Sequence, residues 1–256
     1  MQAYSGFAEV YDTFMDNVPY DAWTQHLIAL MKENGVPEGA LVCELGCGTG
    51  AVTRRLSAAG FDMIGIDSSE EMLAVAADRQ AELSAAGTAG EILYLNQDMR
   101  EFELYGTVAA VVSICDCMNY ITEPGDLLTV FRLVNNYLDP GGVFLFDMNT
   151  PYKYETELAD HTFAESREDC AFIWDNSYDA ETKLNEYDLT VFSRKPEGDY
   201  QRFDEVHVQR AWTEEGVRKL LAHAGLKVTA VYGGLTHDAP GEDTDRMVFI
   251  AKEVMK

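Results

Sequence analysis

The sequence predicts an α/β fold, a parallel sheet with helices on both faces that is interrupted late in the chain by an antiparallel β insertion. Three observations carry this. Between residues 41 and 148, short and nearly continuous apolar runs alternate with amphipathic stretches of helical length, the pattern of successive strand, helix, strand units. The first run leads directly into Gly46-Cys47-Gly48-Thr49-Gly50, a glycine-rich turn placed between a strand and a helix. After Thr150 the pattern changes to two-residue alternation broken by polar turns, which marks antiparallel strands.

Taken in order, residues 21–34 read as one amphipathic helix stopped by Gly35 and Pro37. The first twenty residues carry Tyr4, Phe7, Tyr11, Phe14 and Tyr20, an aromatic density that suits packing onto another surface. Parallel strands are predicted at 41–45, 63–67, 92–96, 108–114 and 143–147, each apolar enough to be covered on both faces. Helical spacing occupies 51–59, 69–83 and 126–138; Ser68 or Ser69 can cap the second helix, where Glu70 and Glu71 meet its positive end. Gly60, Gly87 with Gly90, and Pro140-Gly141-Gly142 supply the breaks after these helices.

In the insertion, the alternating segments 171–174, 189–192 and 206–208 are separated by turns such as Asp179-Ala180-Glu181-Thr182 and Pro196-Glu197-Gly198-Asp199. A helix resumes at Thr213, with Glu214 and Glu215 in its first turn, and ends at Gly225; strands at 226–232 and 247–252 close the chain. With no internal repeat or low-complexity linker, the organisation is one Rossmann-like domain (41–150 and 211–256), preceded by an N-terminal segment (1–40) and carrying an insertion (151–210).

Composition narrows the function classes. A length of 256 residues is between one and two typical domains of roughly 150 residues, and 47% apolar residues are enough for a core without disulfide staples. The formal charge of −25 repels phosphate backbones and anionic lipids, which argues against nucleic acid and membrane surfaces as partners; it solvates the surface and can draw in a cation. Neither a signal peptide nor a span of about 20 apolar residues is evident, so the chain reads as cytoplasmic. The five cysteines (Cys43, Cys47, Cys115, Cys117, Cys170) read as reduced structural thiols, and their spacings with scattered histidines do not build a zinc site. Oligomeric state is not legible.

The chemistry concentrates at the carboxyl ends of the predicted strands, where open α/β sheets bind ligands. The glycine turn lets backbone approach a ligand, and its position after a buried strand is what gives the string weight. Asp67 ends the second strand and can accept hydrogen bonds from both hydroxyls of an adenosine ribose. After the third strand, Asp98 can accept the amino group of adenine while the Met99 backbone N–H addresses a ring nitrogen, and Met72 can cover the base with its thioether. Asp67 and Asp98 could instead cap helices, and Met72 could belong to the core.

In this order of signals, Glu44 before the glycines, Asp67 after strand two and Asp98 after strand three, the sequence resembles the class I S-adenosylmethionine-dependent methyltransferases over about residues 4–252. The resemblance implies a seven-stranded sheet whose last strand is antiparallel, S-adenosyl-L-methionine as cofactor, and a role for Glu44 in holding the methionine moiety. Tyr11-Asp12, Val18-Pro19-Tyr20-Asp21-Ala22-Trp23 and Cys115-Asp116-Cys117-Met118-Asn119-Tyr120 look like a branch of small bacterial methyltransferases related to sugar amine N-methyltransferases. That likeness implies a tyrosine-bearing N-terminal lid and a substrate pocket built partly by the insertion. The cofactor side then comprises Tyr11, Glu44, Gly46, Cys47, Gly48, Gly50, Asp67, Met72, Asp98, Met99 and Cys115. Asp116, Asn119 and Tyr120 are the catalytic candidates, and Tyr20, Arg210 and Trp212 the substrate candidates.

Methyl transfer to a small-molecule amine or hydroxyl needs chiefly alignment, and a hydroxyl also needs a base. The sequence shows no histidine near Asn119-Tyr120 for that task, leaving Asp116 as the nearest carboxylate, with hydrogen bonding to loop backbone its plainer role; Arg210 could equally pair with a carboxylate. Two rivals stay open at this point. Gly46, Gly48 and Ala51 also fit a nicotinamide-dependent oxidoreductase, although Glu44 and Asp98-Met99 are not required by that fingerprint. A catalytically silent cofactor-binding module working through a protein partner is the other.

Overall fold

The computed structural model describes residues 8–85, 90–195 and 197–256; Tyr4, Phe7, Gly87 and Pro196 lie outside the described residues. In chain order the strands are β1 (Leu41–Leu45), β2 (Asp62–Asp67), β3 (Ile92–Asn96), β4 (Val108–Ser113), β5 (Leu138–Asn149), β6 (Thr162–Ser166), β7 (Cys170–Asp179), β8 (Leu184–Arg194), β9 (Tyr200–Arg210), β10 (Leu226–Gly233) and β11 (Arg246–Glu253). Seven of them form one sheet in the order β10-β11-β5-β4-β1-β2-β3. β1 to β5 pair in parallel, while β11 runs antiparallel to both β5 and β10, as expected for the last strand. Because β1 has β4 on one side and β2 on the other, the chain direction of the crossovers reverses there, which opens a crevice at the carboxyl ends.

Apolar side chains on both faces of the central strands create two cores. On one face α5 (Pro124–Tyr137) buries Leu127, Val130, Phe131 and Val134, a helical stripe, against Phe144, Phe146 and Phe249. The Phe146 and Phe249 rings stack at 4.9 Å between β5 and β11. On the other face α2 (Tyr20–Glu33) buries Trp23, Leu27, Leu30 and Met31 with Val52 and Leu56 of α3 (Ala51–Ala58). α4 (Glu70–Ala85) starts where Ser69 Oγ accepts the Met72 N–H at 3.2 Å, and α6 (Glu214–His223) starts on Thr213, which accepts from Gly216. These caps match the sequence reading.

The insertion is a four-stranded meander, β6-β7-β8-β9. A helix that the sequence reading did not resolve, α1 (Ala8–Phe14), packs Val10 and Phe14 onto Cys170, Leu189 and Val191 of that sheet. Other departures have local causes. Pro140-Gly141-Gly142 does not end a helix but sits inside β5, where the β4 ladder jumps from the Val108–Leu138 pair to Ala110–Val143 and Gly141 takes φ +76°. α5 begins two residues earlier than expected, on Pro124, whose missing N–H costs nothing at a first turn.

Arg246, the first residue of β11, joins the parts. It pairs with Asp147 of β5 and, at 2.7 Å, with Asp116 in the loop after β4, while Gln209 of β9 donates to the other Asp116 oxygen at 2.8 Å. Arg246→Met should lower the unfolding free energy by about 3–5 kcal/mol, the range for breaking a buried pair and leaving its partners charged. Urea denaturation measures this; a loss below about 1 kcal/mol would show that the network contributes little.

Candidate functional site

The crevice holds a cavity of about 290 Å³, at the lower end of small-molecule pockets (~300–1,000 Å³). Four of the parallel strands deliver their next residues to it: Gly46 to Thr49 after β1, Asp67 and Ser68 at the end of β2, Gln97 to Arg100 after β3, and Ile114, Cys115, Cys117 and Tyr120 after β4. Glu44 lies at its base and Met72 at the start of α4, while Tyr11 and Tyr20 face it from α1 and α2.

The turn after β1 is shaped by backbone constraints. Gly46 and Cys47 both donate to the Ile66 carbonyl of β2, at 2.8 and 3.0 Å, which anchors the turn to the neighbouring strand. Gly46 has φ +72°, and a Cβ there would meet Cys117 Sγ at 2.6 Å, so a side chain is excluded. Gly48 differs. Its φ is +53°, but a Cβ would meet nothing within 4 Å. This turn lines the cavity, so the site has room against its backbone for a ligand.

Two carboxylates frame this turn. Asp67 accepts the Gly48 N–H at 2.7 Å through one oxygen and the Ser69 N–H at 2.9 Å through the other, which leaves each oxygen able to accept again. Glu44 is 3% exposed, and its side chain accepts from the Thr53 hydroxyl at 2.5 Å. Burial pushes its carboxyl up to about 8, reinforced by Asp67 and opposed by the Thr53 hydrogen bond and by Arg54. A buried carboxylate held by a hydroxyl rather than a contacting cation fits a ligand that brings a cation with it. Among the described lining residues Arg100 is the only cationic one, and it grips Asp98 at 2.5 Å.

The two N-terminal helices are tied to the elements around the cavity. Asp12 of α1 accepts from Thr49 Oγ1 at 2.7 Å and pairs with Arg79 of α4 at 2.8 Å, so one carboxylate ties α1 to the glycine turn. Arg55 reaches Asp21 at 2.7 Å and lies over the Tyr20 ring at 5.4 Å.

The structure brings together Tyr11, Tyr20, Glu44, Gly46, Cys47 and Gly48 with Asp67, Met72, Asp98, Met99, Cys115 and Tyr120, all at the cavity. Five predicted site residues are placed elsewhere. Gly50 begins α3 at φ +74°, packed beneath Tyr94 and Arg54. Asp116 is committed to Arg246 and Gln209; burial alone would raise its carboxyl, but Arg246, Lys153 and Gln209 outweigh that and hold it low, which favours a structural role over that of a base. Asn119 is buried and pins chain segments, accepting from Asn149 N at 3.0 Å and donating to the Arg210 carbonyl at 2.9 Å. Arg210 donates to the Thr122 carbonyl and lies over Trp212 at 5.3 Å, and Trp212 donates to the Ile121 carbonyl at 3.2 Å. Arg210 and Trp212 therefore close the insertion onto the sheet.

The reading that no histidine approaches Tyr120 is also corrected, because His207 of β9 places Nδ1 at 3.1 Å from the Tyr120 hydroxyl. The signal was present: Glu205, His207 and Gln209 alternate with Val206 and Val208, and the polar set is the buried one. Arg246 gave no comparable local signal.

The raised Glu44 carboxyl has a stability consequence of definite sign. Because its folded value exceeds the ordinary 4.5, the folded state binds the extra proton, and the stability this confers is lost as pH rises from about 4.5 to about 8. The difference in unfolding free energy between Glu44→Gln and the parent chain should therefore widen in favour of Glu44→Gln over that window. Denaturant titrations at pH 5 and pH 8 read it; a constant difference would contradict the assignment.

Residues 42–142 match the family described as "Methyltransferase domain". The chain is 36% identical over 251 residues to "Putative methyltransferase YqeM" of Bacillus subtilis, covering 98% of this chain and 97% of that protein. A solved S-adenosylmethionine-dependent methyltransferase from Clostridium acetobutylicum superposes with a TM-score of 0.84 at 28% identity, covering 98% and 99% of the two chains. DesVI of Streptomyces venezuelae shares the fold, with a TM-score of 0.78 at 23% identity over 95% and 97%. Solved relatives of this fold include CalS10 with S-adenosylmethionine bound. The nicotinamide alternative falls, and the chain belongs to the S-adenosylmethionine-dependent methyltransferases.

Proposed function

We propose that the chain transfers a methyl group from S-adenosyl-L-methionine to an amine of a small molecule. The observation that carries this is the cavity's acidic lining: Asp67 and the buried Glu44 face it, the one cation among its described lining residues, Arg100, is taken up by Asp98, and Glu44 gives up its proton when a cation arrives. Such a field attracts cations, both the cofactor and a protonated amine. Relatives support the same class. One curated protein 24% identical over 89% of this chain is named dTDP-3-amino-3,4,6-trideoxy-alpha-D-glucopyranose N,N-dimethyltransferase, and another, at 23%, is a cypemycin N-terminal methyltransferase.

In this reading Glu44 takes the ammonium of the methionine moiety and Asp67 takes the ribose hydroxyls. The backbone of Gly46, Cys47 and Gly48 lies along the cofactor. Met72, Met99 and Asp98 surround the adenine; the Asp98 oxygens are largely occupied by Arg100, so the backbone after Asp98 gives the base its remaining polar contacts. Cys115 and Tyr11 complete the cofactor side. Tyr20 and Tyr120 face the acceptor, and the insertion walls that side through Tyr187 and His207, which contact Tyr120. When bound, the cofactor supplies a methyl group on a sulfonium, and the new N–C bond forms as the S–C bond breaks with its electron pair left on sulfur. The protein contributes alignment and exclusion of water.

Asp67→Ala should weaken S-adenosylhomocysteine binding by about 1.5–3 kcal/mol, the range for hydrogen bonds to a charged group. An unchanged Kd in the folded variant would remove the ribose assignment. Binding at pH 7 should also release protons, since the ligand ammonium favours ionised Glu44, and this release should vanish in Glu44→Gln; calorimetry in buffers of different ionisation enthalpy reads it directly.

The reading itself is tested by incubating the chain and S-adenosyl-L-methionine with paired amines and alcohols, including 3-amino sugar nucleotides, and detecting products by mass spectrometry. Methylated amines are expected. Methylated alcohols alone would transfer the assignment to O-methylation, and cofactor binding with no product across the set would contradict it.

A further inference from the structure

β9 is built against the usual economy of a strand: it buries Glu205, His207 and Gln209 at 2–4% exposure and leaves Val206 45% exposed. Burying three polar side chains in a row is costly unless each is committed to a partner. Gln209 is explained by Asp116 and Tyr154. Glu205 and His207 are not needed for that network, and they lead to the cavity.

His207 Nε2 lies 3.2 Å from Glu205 Oε2, and its Nδ1 lies 3.1 Å from the hydroxyl of Tyr120, which lines the cavity. Tyr187, opposite His207 in the β8–β9 ladder, stacks on the imidazole at 4.8 Å and 11° and sets its own hydroxyl 2.5 Å from that of Tyr120. A carboxylate at Nε2 fixes the proton there and leaves Nδ1 as acceptor. Among the described residues, Tyr120 from the turn after β4, Tyr187 from β8 and Glu205 from β9 itself face the imidazole, with Asp116 and Cys117 acting on Tyr187 from beyond.

We propose that Tyr120 is the catalytic residue that takes the acceptor's proton, and that His207 and Glu205 are positioning residues that give this proton its destination. A protonated amine cannot attack a methyl group. Its N–H proton passes to the Tyr120 oxygen as the Tyr120 hydroxyl proton passes to His207 Nδ1. The acceptor is left as a neutral amine, Tyr120 is unchanged in charge, and an imidazolium stands beside the Glu205 carboxylate; one proton has moved and nothing is oxidised. This inference rests on the amine-methylation reading above.

The deciding measurement is the 15N spectrum of histidine-labelled protein saturated with S-adenosylhomocysteine at pH 8. His207 is expected as the Nε2–H tautomer, its signals identified by their loss in His207→Gln, with Tyr120→Phe moving the Nδ1 signal. Should His207→Gln fail to fold, Tyr120→Phe identifies the same resonance. An Nδ1–H tautomer, or an Nδ1 signal indifferent to Tyr120→Phe, overturns the proposal. Failure to bind S-adenosylhomocysteine would instead refute the cofactor assignment, and the tautomer would still be read in the free protein. For any amine the parent chain methylates, Tyr120→Phe and His207→Gln should each lower kcat by about 10²-fold or more, with KM and the S-adenosylhomocysteine Kd within about twofold; an unchanged kcat overturns the proposal.

Discussion

A carboxylate buried beneath a backbone turn, with a threonine hydroxyl as its hydrogen-bond donor, is the constraint around which the catalytic end of this molecule is arranged. Glu44 is placed there because β1 is central in the sheet and its last residues are covered on both faces. Leaving such a group uncompensated costs free energy in the ligand-free protein. In the proposed function the same cost favours a partner bearing a positive charge, and in the turn that follows Glu44 it is Gly48, with nothing within 4 Å of where a Cβ would stand, that leaves space for one.

The wall opposite that turn depends on a second costly feature. Cys115 and Asp116 follow β4 in consecutive left-handed conformations, φ +61° and +53°, without being glycines. Such residues each cost about 1–3 kcal/mol and persist where surroundings over-determine them. Here the surroundings are the Asp147 carboxylate accepting from the Asp116 N–H, and Arg246 and Gln209 gripping the Asp116 side chain. The ion network is thus the reason Cys115 and Tyr120 can present themselves to the cavity. It also couples the insertion to the main sheet through Gln209.

The fold was legible because the sheet's information is local: apolar runs for doubly covered strands, glycine and proline punctuation, and a capping serine at Ser69. The cavity-lining residues were legible for a related reason, since strand ends in a parallel sheet meet at one edge, so Glu44, Asp67, Asp98 and Met72 converge once the strands are placed. Asn119, Arg210 and Trp212 misled because polar and aromatic residues near a site serve equally to pin segments together, and only contacts separated by 30 to 91 positions reveal that they do so. Arg246 was invisible for the same reason. His207 is different, because the polar and apolar alternation of β9 is a local signal; it reads as an ordinary edge strand if the valines are taken as the buried set, and the structure buries Glu205, His207 and Gln209 instead.

The account stands most directly on where the two ends of the cofactor lie. A crystal structure of the chain with S-adenosylhomocysteine should show the amino group of its amino-acid end within hydrogen-bonding distance of Glu44 and both ribose hydroxyls on Asp67, with the sulfur facing Tyr120. An amino-acid end directed away from Glu44, or a nucleoside seated outside the turn that follows β1, would contradict it.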